Sequence, residues 1–286
     1  MATNPHDQTL ESLVSRYRRS ATDPALAKAE IEVEVRFRGV DSFIFETVLK
    51  SLVAKEIPVD GGTIAQTVNS IMEEDPATRA PQRRSQGDYG RGANLIRQLT
   101  FVDGKKAGER YYRKWPLAPP FRVRNPHALD YNVVLSGEQP LDGSFSSDAS
   151  ALIRVKCRAS FVVAGSPGSD WRIDLTVTRQ LAGSDAQSGL PGVVGKMFRA
   201  GKMTPANMLD LLNLSDPDSE YRSLYSYEME IEHLPGADGA GRDAVRPSEV
   251  STLVDQVLRL ANPEYMEEAV YQAEIYHVAG FVVEAP

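Results

Sequence analysis

The stretch Tyr225–His233, YSYEMEIEH, decides how the whole chain is read, because it spaces Glu228, Glu230 and Glu232 two residues apart. In a β-strand that spacing sends all three carboxylates to one face and Tyr227, Met229 and Ile231 to the other. A lone strand of this kind is ordinarily half-buried, with its apolar face inward and its acids in water. The reading changes if other strands bring charge to the same place, because carboxylates held close together repel unless a cation or basic side chains sit among them.

The rest of the chain supplies such strands. Ala29–Arg38, AEIEVEVRFR, alternates Ile31, Val33, Val35 and Phe37 with Glu30, Glu32, Glu34, Arg36 and Arg38. Leu152–Phe161, LIRVKCRASF, sets Arg154, Lys156 and Arg158 against Ile153, Val155, Cys157 and Ala159. Trp171–Arg179, WRIDLTVTR, opposes Arg172, Asp174, Thr176 and Thr178 to Trp171, Ile173, Leu175 and Val177. Two more strands, Asn94–Asp103 with Arg97 and Glu109–Trp115 with Arg113 and Lys114, flank DGKKAG, whose Asp-Gly is a hairpin signal. Asp130–Glu138 reads as a strand ending on an acid. Arg-x-Lys-x-Arg opposite Glu-x-Glu is best housed in a closed barrel that is polar within and apolar without. The expected fold is therefore mainly β (α+β): a closed antiparallel eight-stranded barrel with a charged lumen, covered by helices.

Helical periodicity supplies the cover. Residues 9–20 place Leu10, Leu13, Val14 and Tyr17 on one side. Asp41 caps SFIFETVLKSLVAK, whose Phe43, Val48, Leu49 and Leu52 are expected against the first acidic strand. Residues 190–214 are helical in parts, Glu249–Leu260 is a helix, and Tyr265–Val283 reads as a helix followed by a strand. Residues 62–74 fit helix or strand equally. The Arg-, Gly- and Pro-rich run Pro76–Gly92 reads as a loop, and residues 116–126 as a proline-broken connection. Linker composition after 233 divides the chain into a helical extension (1–27), the barrel (28–233), a linker (234–248) and a C-terminal segment (249–286) that docks on the barrel or leads to a neighbouring domain.

Composition narrows the chemistry. The 286 residues include one cysteine, Cys157, so neither an intrachain disulfide nor a cysteine-based zinc site is available. The four histidines, His6, His127, His233 and His277, are scattered and read as structural. There is no nucleophile elbow and no phosphate loop. No apolar run is long enough for a bilayer and the N-terminal residues lack a signal-peptide pattern, so a soluble intracellular protein with no membrane partner is expected. A net charge of −7 argues against a broad face for gripping duplex, so any nucleic acid is contacted locally, at an end.

IEVEVRF at 31–37, RVKCR at 154–158, WRIDLT at 171–176 and EMEIE at 228–232 resemble, in order, the charged strands of the triphosphate tunnel metalloenzymes, in particular the fungal and viral metal-dependent RNA triphosphatases that begin mRNA capping. The resemblance covers about residues 28–233. It implies Mg2+ or Mn2+ held by Glu32, Glu34 and Glu232, with Glu228 and Glu230 completing an acidic floor. It implies phosphate binding by Arg154, Lys156 and Arg158, joined by Arg97 and Lys114, and water positioning by Glu138 and Asp174. The implied substrate is the 5′-triphosphate end of nascent RNA, with NTPs as further substrates, guanylyltransferase and methyltransferase capping partners, and a place in the nucleus or a cytoplasmic viral factory. Two rival readings remain: a small-molecule tripolyphosphatase or NTPase of the same family, and a non-catalytic module that binds polyphosphate or RNA ends.

Overall fold

The computed structural model describes residues 9–62, 64–73, 93–125, 128–143, 152–165, 170–182, 185–198, 203–211, 224–235 and 242–262. Their strands are β1 (Glu30–Phe37), β2 (Ala65–Glu73), β3 (Asn94–Val102), β4 (Lys105–Pro116), β5 (Phe121–Val123), β6 (Tyr131–Pro140), β7 (Leu152–Ala164), β8 (Asp170–Leu181) and β9 (Ser226–Leu234). Hydrogen bonding runs β1-β9-β8-β7-β2-β3-β4-β6, and β6 pairs back onto β1, so eight strands close into a barrel. Every pairing is antiparallel. Short β5 lies on β6 beyond the end of β4, within the stretch that the prolines led us to read as a connection. The segment left open between helix and strand is β2, which joins β7 to β3.

The barrel's outer face is the hydrophobic core. Ile31, Val33, Val35, Val155, Cys157, Ala159, Phe161, Trp171, Leu175, Val177, Met229 and Ile231 are all buried there. They are covered by α1 (Leu10–Ser20), α2 (Ser42–Ala54), α3 (Asp185–Met197), α4 (Pro205–Leu211) and α5 (Pro247–Ala261). α1 packs on β1 and β6, α2 on β9, α3 on β7 and β8, and α5 on α1 and α2. α2 starts where expected, with Asp41 Oδ1 accepting from the Ile44 amide at 2.8 Å. Its apolar phase differs in one place. Phe45 is buried with Val48, Leu49 and Leu52, whereas Phe43 is 71% exposed, because those four positions follow the i, i+3, i+4, i+7 stripe from 45 and residue 43 lies off it. The expected Pro76–Gly92 loop, the 265–283 helix and strand, and His6, His127 and His277 lie outside the described residues.

Two contacts make the fold testable. Gly137 on β6 faces Trp115 on β4, and a Cβ there would sit 2.7 Å from the indole Cζ2. Gly137→Ala is therefore expected to destabilise by about 1–3 kcal/mol through overpacking, visible as a lower thermal midpoint; an unchanged midpoint would mean that Trp115 shifts freely. Under the covering helix, Tyr17 of α1 and His233 of β9 share a buried 2.6 Å hydrogen bond between Oη and Nδ1. Burial lowers the His233 pKa to about 4. In the unfolded chain His233 takes a proton near pH 6.5, whereas the folded chain resists it until about pH 4. This contribution is complete above pH 6.5 and is lost as pH falls towards 4, by up to about 3 kcal/mol. Denaturant titrations at pH 7 and pH 4.5 should show His233→Leu losing less stability on acidification than the native chain; an equal loss would place the histidine outside the linkage.

Candidate active site

Register fixes what points inward. On β1, Glu32, Glu34 and Arg36 alternate with the buried aliphatics, and Glu34 and Arg36 face Glu232 and Glu230 of β9. β9 in turn aligns Glu232 with Arg172, Glu230 with Asp174 and Glu228 with Thr176 on β8. β8 aligns Thr176 with Arg158 and Thr178 with Lys156 on β7. Directly paired residues share a face, so these side chains converge on one lumen.

Inside it the charges interlock. Lys114 of β4 places its Nζ 2.6 Å from Glu32, 3.0 Å from Glu34 and 2.8 Å from Glu138. Arg36 pairs with Glu34 and, at 3.1 Å, with Glu230. Arg172 donates to Glu232 at 2.5 Å and lies 3.0 Å from Asp174. Arg158 reaches Asp174 at 3.0 Å and Glu230 at 3.7 Å, and its Nε donates to Thr176 at 3.2 Å. Glu228 takes Arg154 and, at 3.3 Å, Lys156.

These contacts set the protonation states. Burial pushes Glu32 up to about 9 against the pull of Lys114, with Glu34, Glu138 and Glu232 adding to the rise. Burial also acts on Glu34, but Lys114 and Arg36 outweigh it and hold that carboxyl well below the usual range. The two neighbouring carboxyls are thus pushed in opposite directions, Glu32 up and Glu34 down. Glu232 is raised to about 7 by burial, against Arg172. Lys156 is lowered to about 7 by burial and by the adjacent Arg154 and Arg158, so its charge is available to an incoming anion at little proton cost.

Of the residues singled out from sequence, Glu32, Glu34, Glu138, Glu228, Glu230, Glu232, Asp174, Lys114, Arg154, Lys156 and Arg158 lie together in this lumen. Arg97 does not. It stands opposite Ser70 and Tyr111 on the outer face of β3 and pairs with Glu109 at 2.7 Å. The cause is a register shift between Thr100 and Phe101 in the β3–β4 hairpin. Without it, the Asp103-Gly104 turn would pair Arg97 with Arg110 and put both on Lys114's face; one bulged residue reverses that parity. The inward arginine of the hairpin is Arg110. Arg113, the alternative to Lys114, lies over the Trp115 ring at 5.4 Å on the outer side. Asp174 is fully buried between two guanidiniums, which suits orienting Arg158 and Arg172 better than holding a water. Arg36, Arg172, Thr176 and Ser136 were not singled out as site residues, although for the three on β1 and β8 the alternation that exposed their neighbours applied equally.

Glu32, Glu34 and Glu232 present only hard oxygen donors, a set suited to Mg2+ or Mn2+. Among the described residues no group of three carboxylates forms an open cage; Lys114 and Arg172 supply the positive charge these acids require.

No family model matches the chain. It is 29% identical over 276 residues, 96% of its length, to the mRNA-capping enzyme of African swine fever virus in isolates from Kenya and Namibia, and spans 27% of those relatives. Among solved structures, a Mimivirus capping enzyme triphosphatase aligns with TM-score 0.49 and 11% identity over 92% of this chain and all of that one. An RNA triphosphatase of S. pombe aligns with TM-score 0.41 and 12% identity over 96% of this chain and 95% of that one.

Proposed function

We propose that this chain is a metal-dependent RNA 5′-triphosphatase that removes the γ-phosphate of a triphosphate-ended RNA to leave a 5′-diphosphate, the first step of mRNA capping. The observation that carries the proposal is the closed lumen in which Glu32, Glu34 and Glu232 lie across from Arg154, Lys156 and Arg158. A binding module for polyphosphate would gain nothing from so many buried acids, each of which repels the ligand.

Glu32, Glu34 and Glu232 would hold the divalent ion, Mg2+ or Mn2+, which would supply charge neutralisation for the γ-phosphoryl group. Arg158 and Lys156 take the charge that develops on the transferring group, and Arg154 takes the leaving diphosphate. Glu138 is the carboxylate that aligns the attacking water. Glu228 and Glu230 aim the basic side chains they pair with, and Asp174 fixes Arg158 and Arg172. No covalent intermediate is required.

The chain spans about a quarter of the length of its viral relatives; guanylyltransferase and methyltransferase capping partners, and the nucleus or a cytoplasmic viral factory as the place of action, belong to the same proposal. No described helix is long and apolar enough to cross a membrane. The small-molecule reading uses the same residues. The two separate when phosphate release is measured side by side on triphosphate-ended RNA, ATP and tripolyphosphate: RNA cleaved at least as efficiently as tripolyphosphate supports the proposal, and a marked preference for tripolyphosphate defeats it.

A further inference from the structure

The charged lining does not run all the way round. From Thr67 to Ile71 on β2 and from Ile96 to Thr100 on β3 the inward face of the wall is neutral, presenting Thr67 and Asn69 from one strand and Gln98 and Thr100 from the other, paired across the sheet, and the charge of Glu73 comes only at the end of β2, opposite Asn94. Asn69 lies beside Arg154 in register, and Gln98 beside Arg110. The side chains are joined: Gln98 Nε2 donates to Asn69 Oδ1 at 3.1 Å, and Arg110 Nε donates to Gln98 Oε1 at 2.7 Å. Arg110 also lies over the Tyr112 ring, 4.7 Å from its centroid. Tyr112 is 7% exposed and shares its face of β4 with Lys114, so it stands between Arg110 and the acids.

Amides, hydroxyls, an aromatic ring and a single guanidinium over it do not make a polyphosphate site, which needs concentrated positive charge. They are the groups that hydrogen-bond sugar hydroxyls and base edges and stack on bases. Arg110 stands four residues from Lys114 on one strand face, roughly 13 Å along the strand, so it sits away from the acid cluster and in reach of what is attached to a triphosphate held there. We propose that Asn69, Gln98 and Arg110, with Tyr112, form a subsite for the nucleoside of the substrate, and that this ladder makes the tunnel select a 5′-terminal nucleotide over inorganic tripolyphosphate. The inference rests on the tunnel binding a triphosphate, as proposed above, but not on its hydrolysis.

Equilibrium binding without divalent metal tests it separately from turnover. For Arg110→Ala and Gln98→Ala, Kd for a short 5′-triphosphate RNA is expected to rise about tenfold, while Kd for tripolyphosphate stays within twofold. In steady state with metal, KM for the RNA should rise while kcat and the tripolyphosphate constants hold. Equal weakening of both ligands would make Arg110 a general phosphate contact, and no weakening of either would remove the ladder from the substrate path; either result overturns the inference. A native chain that binds RNA selectively but releases no phosphate would defeat the catalytic proposal and leave this one standing.

Discussion

Glu32→Ala and Glu232→Ala are each expected to lower metal-dependent phosphate release by about 10³-fold, several kcal/mol of transition-state stabilisation, without unfolding the protein. The loss follows from removing one of three oxygen donors. Survival of the fold follows from the electrostatics already present. Burial raises Glu32, as do its neighbours Glu34 and Glu138, so its removal relieves a crowded acid, and Lys114 keeps Glu34 and Glu138 at 3.0 and 2.8 Å. Removing Glu232 leaves Arg172 on Asp174 at 3.0 Å. Circular dichroism should overlay the native spectrum while phosphate release collapses. If both variants stay within tenfold of native activity, these carboxylates are not the ligand set.

Arg158→Lys separates charge from geometry. One guanidinium spans Asp174 and Glu230 and also donates to Thr176; an ammonium keeps the charge but lacks the planar fork that holds two oxygens at once. Catalysis is expected to fall by about 2–4 kcal/mol of transition-state stabilisation. Arg38→Lys, at the exposed end of the first acidic strand, should change little. Full turnover in Arg158→Lys would reduce Arg158 to a counter-charge for Asp174 and Glu230, and loss of activity through loss of fold would shift phosphate binding to Arg154 and Lys156.

Much of this arrangement was legible because period-two alternation carries both fold and chemistry. The alternation that placed Val33 and Val35 in the core placed Glu32 and Glu34 in the lumen, and the same held for β7, β8 and β9. What was not legible is what alternation alone does not encode. Arg97 was misplaced because a bulge, invisible in a hairpin sequence whose Asp103-Gly104 turn reads normally, flips one strand's parity against the other. β2 could not be distinguished from a helix because Thr67, Asn69 and Ser70 mix polar side chains into both faces, and the neutral wall it builds carries no charge pattern to announce it. The water-positioning role of Asp174 came from the resemblance alone, and the sequence does not show that two arginines enclose it. Phe43 was misassigned by hydrophobicity where helical phase decides.

The central claim, removal of only the γ-phosphate with the help of a divalent ion, is tested most directly by following the RNA product. A triphosphate-ended RNA labelled at its β-phosphate, incubated with the chain and Mg2+ or Mn2+, should give a 5′-diphosphate end that retains the label, with inorganic phosphate as co-product and no reaction in excess chelator. Release of labelled pyrophosphate to leave a 5′-monophosphate, or turnover undiminished by the chelator, would contradict it.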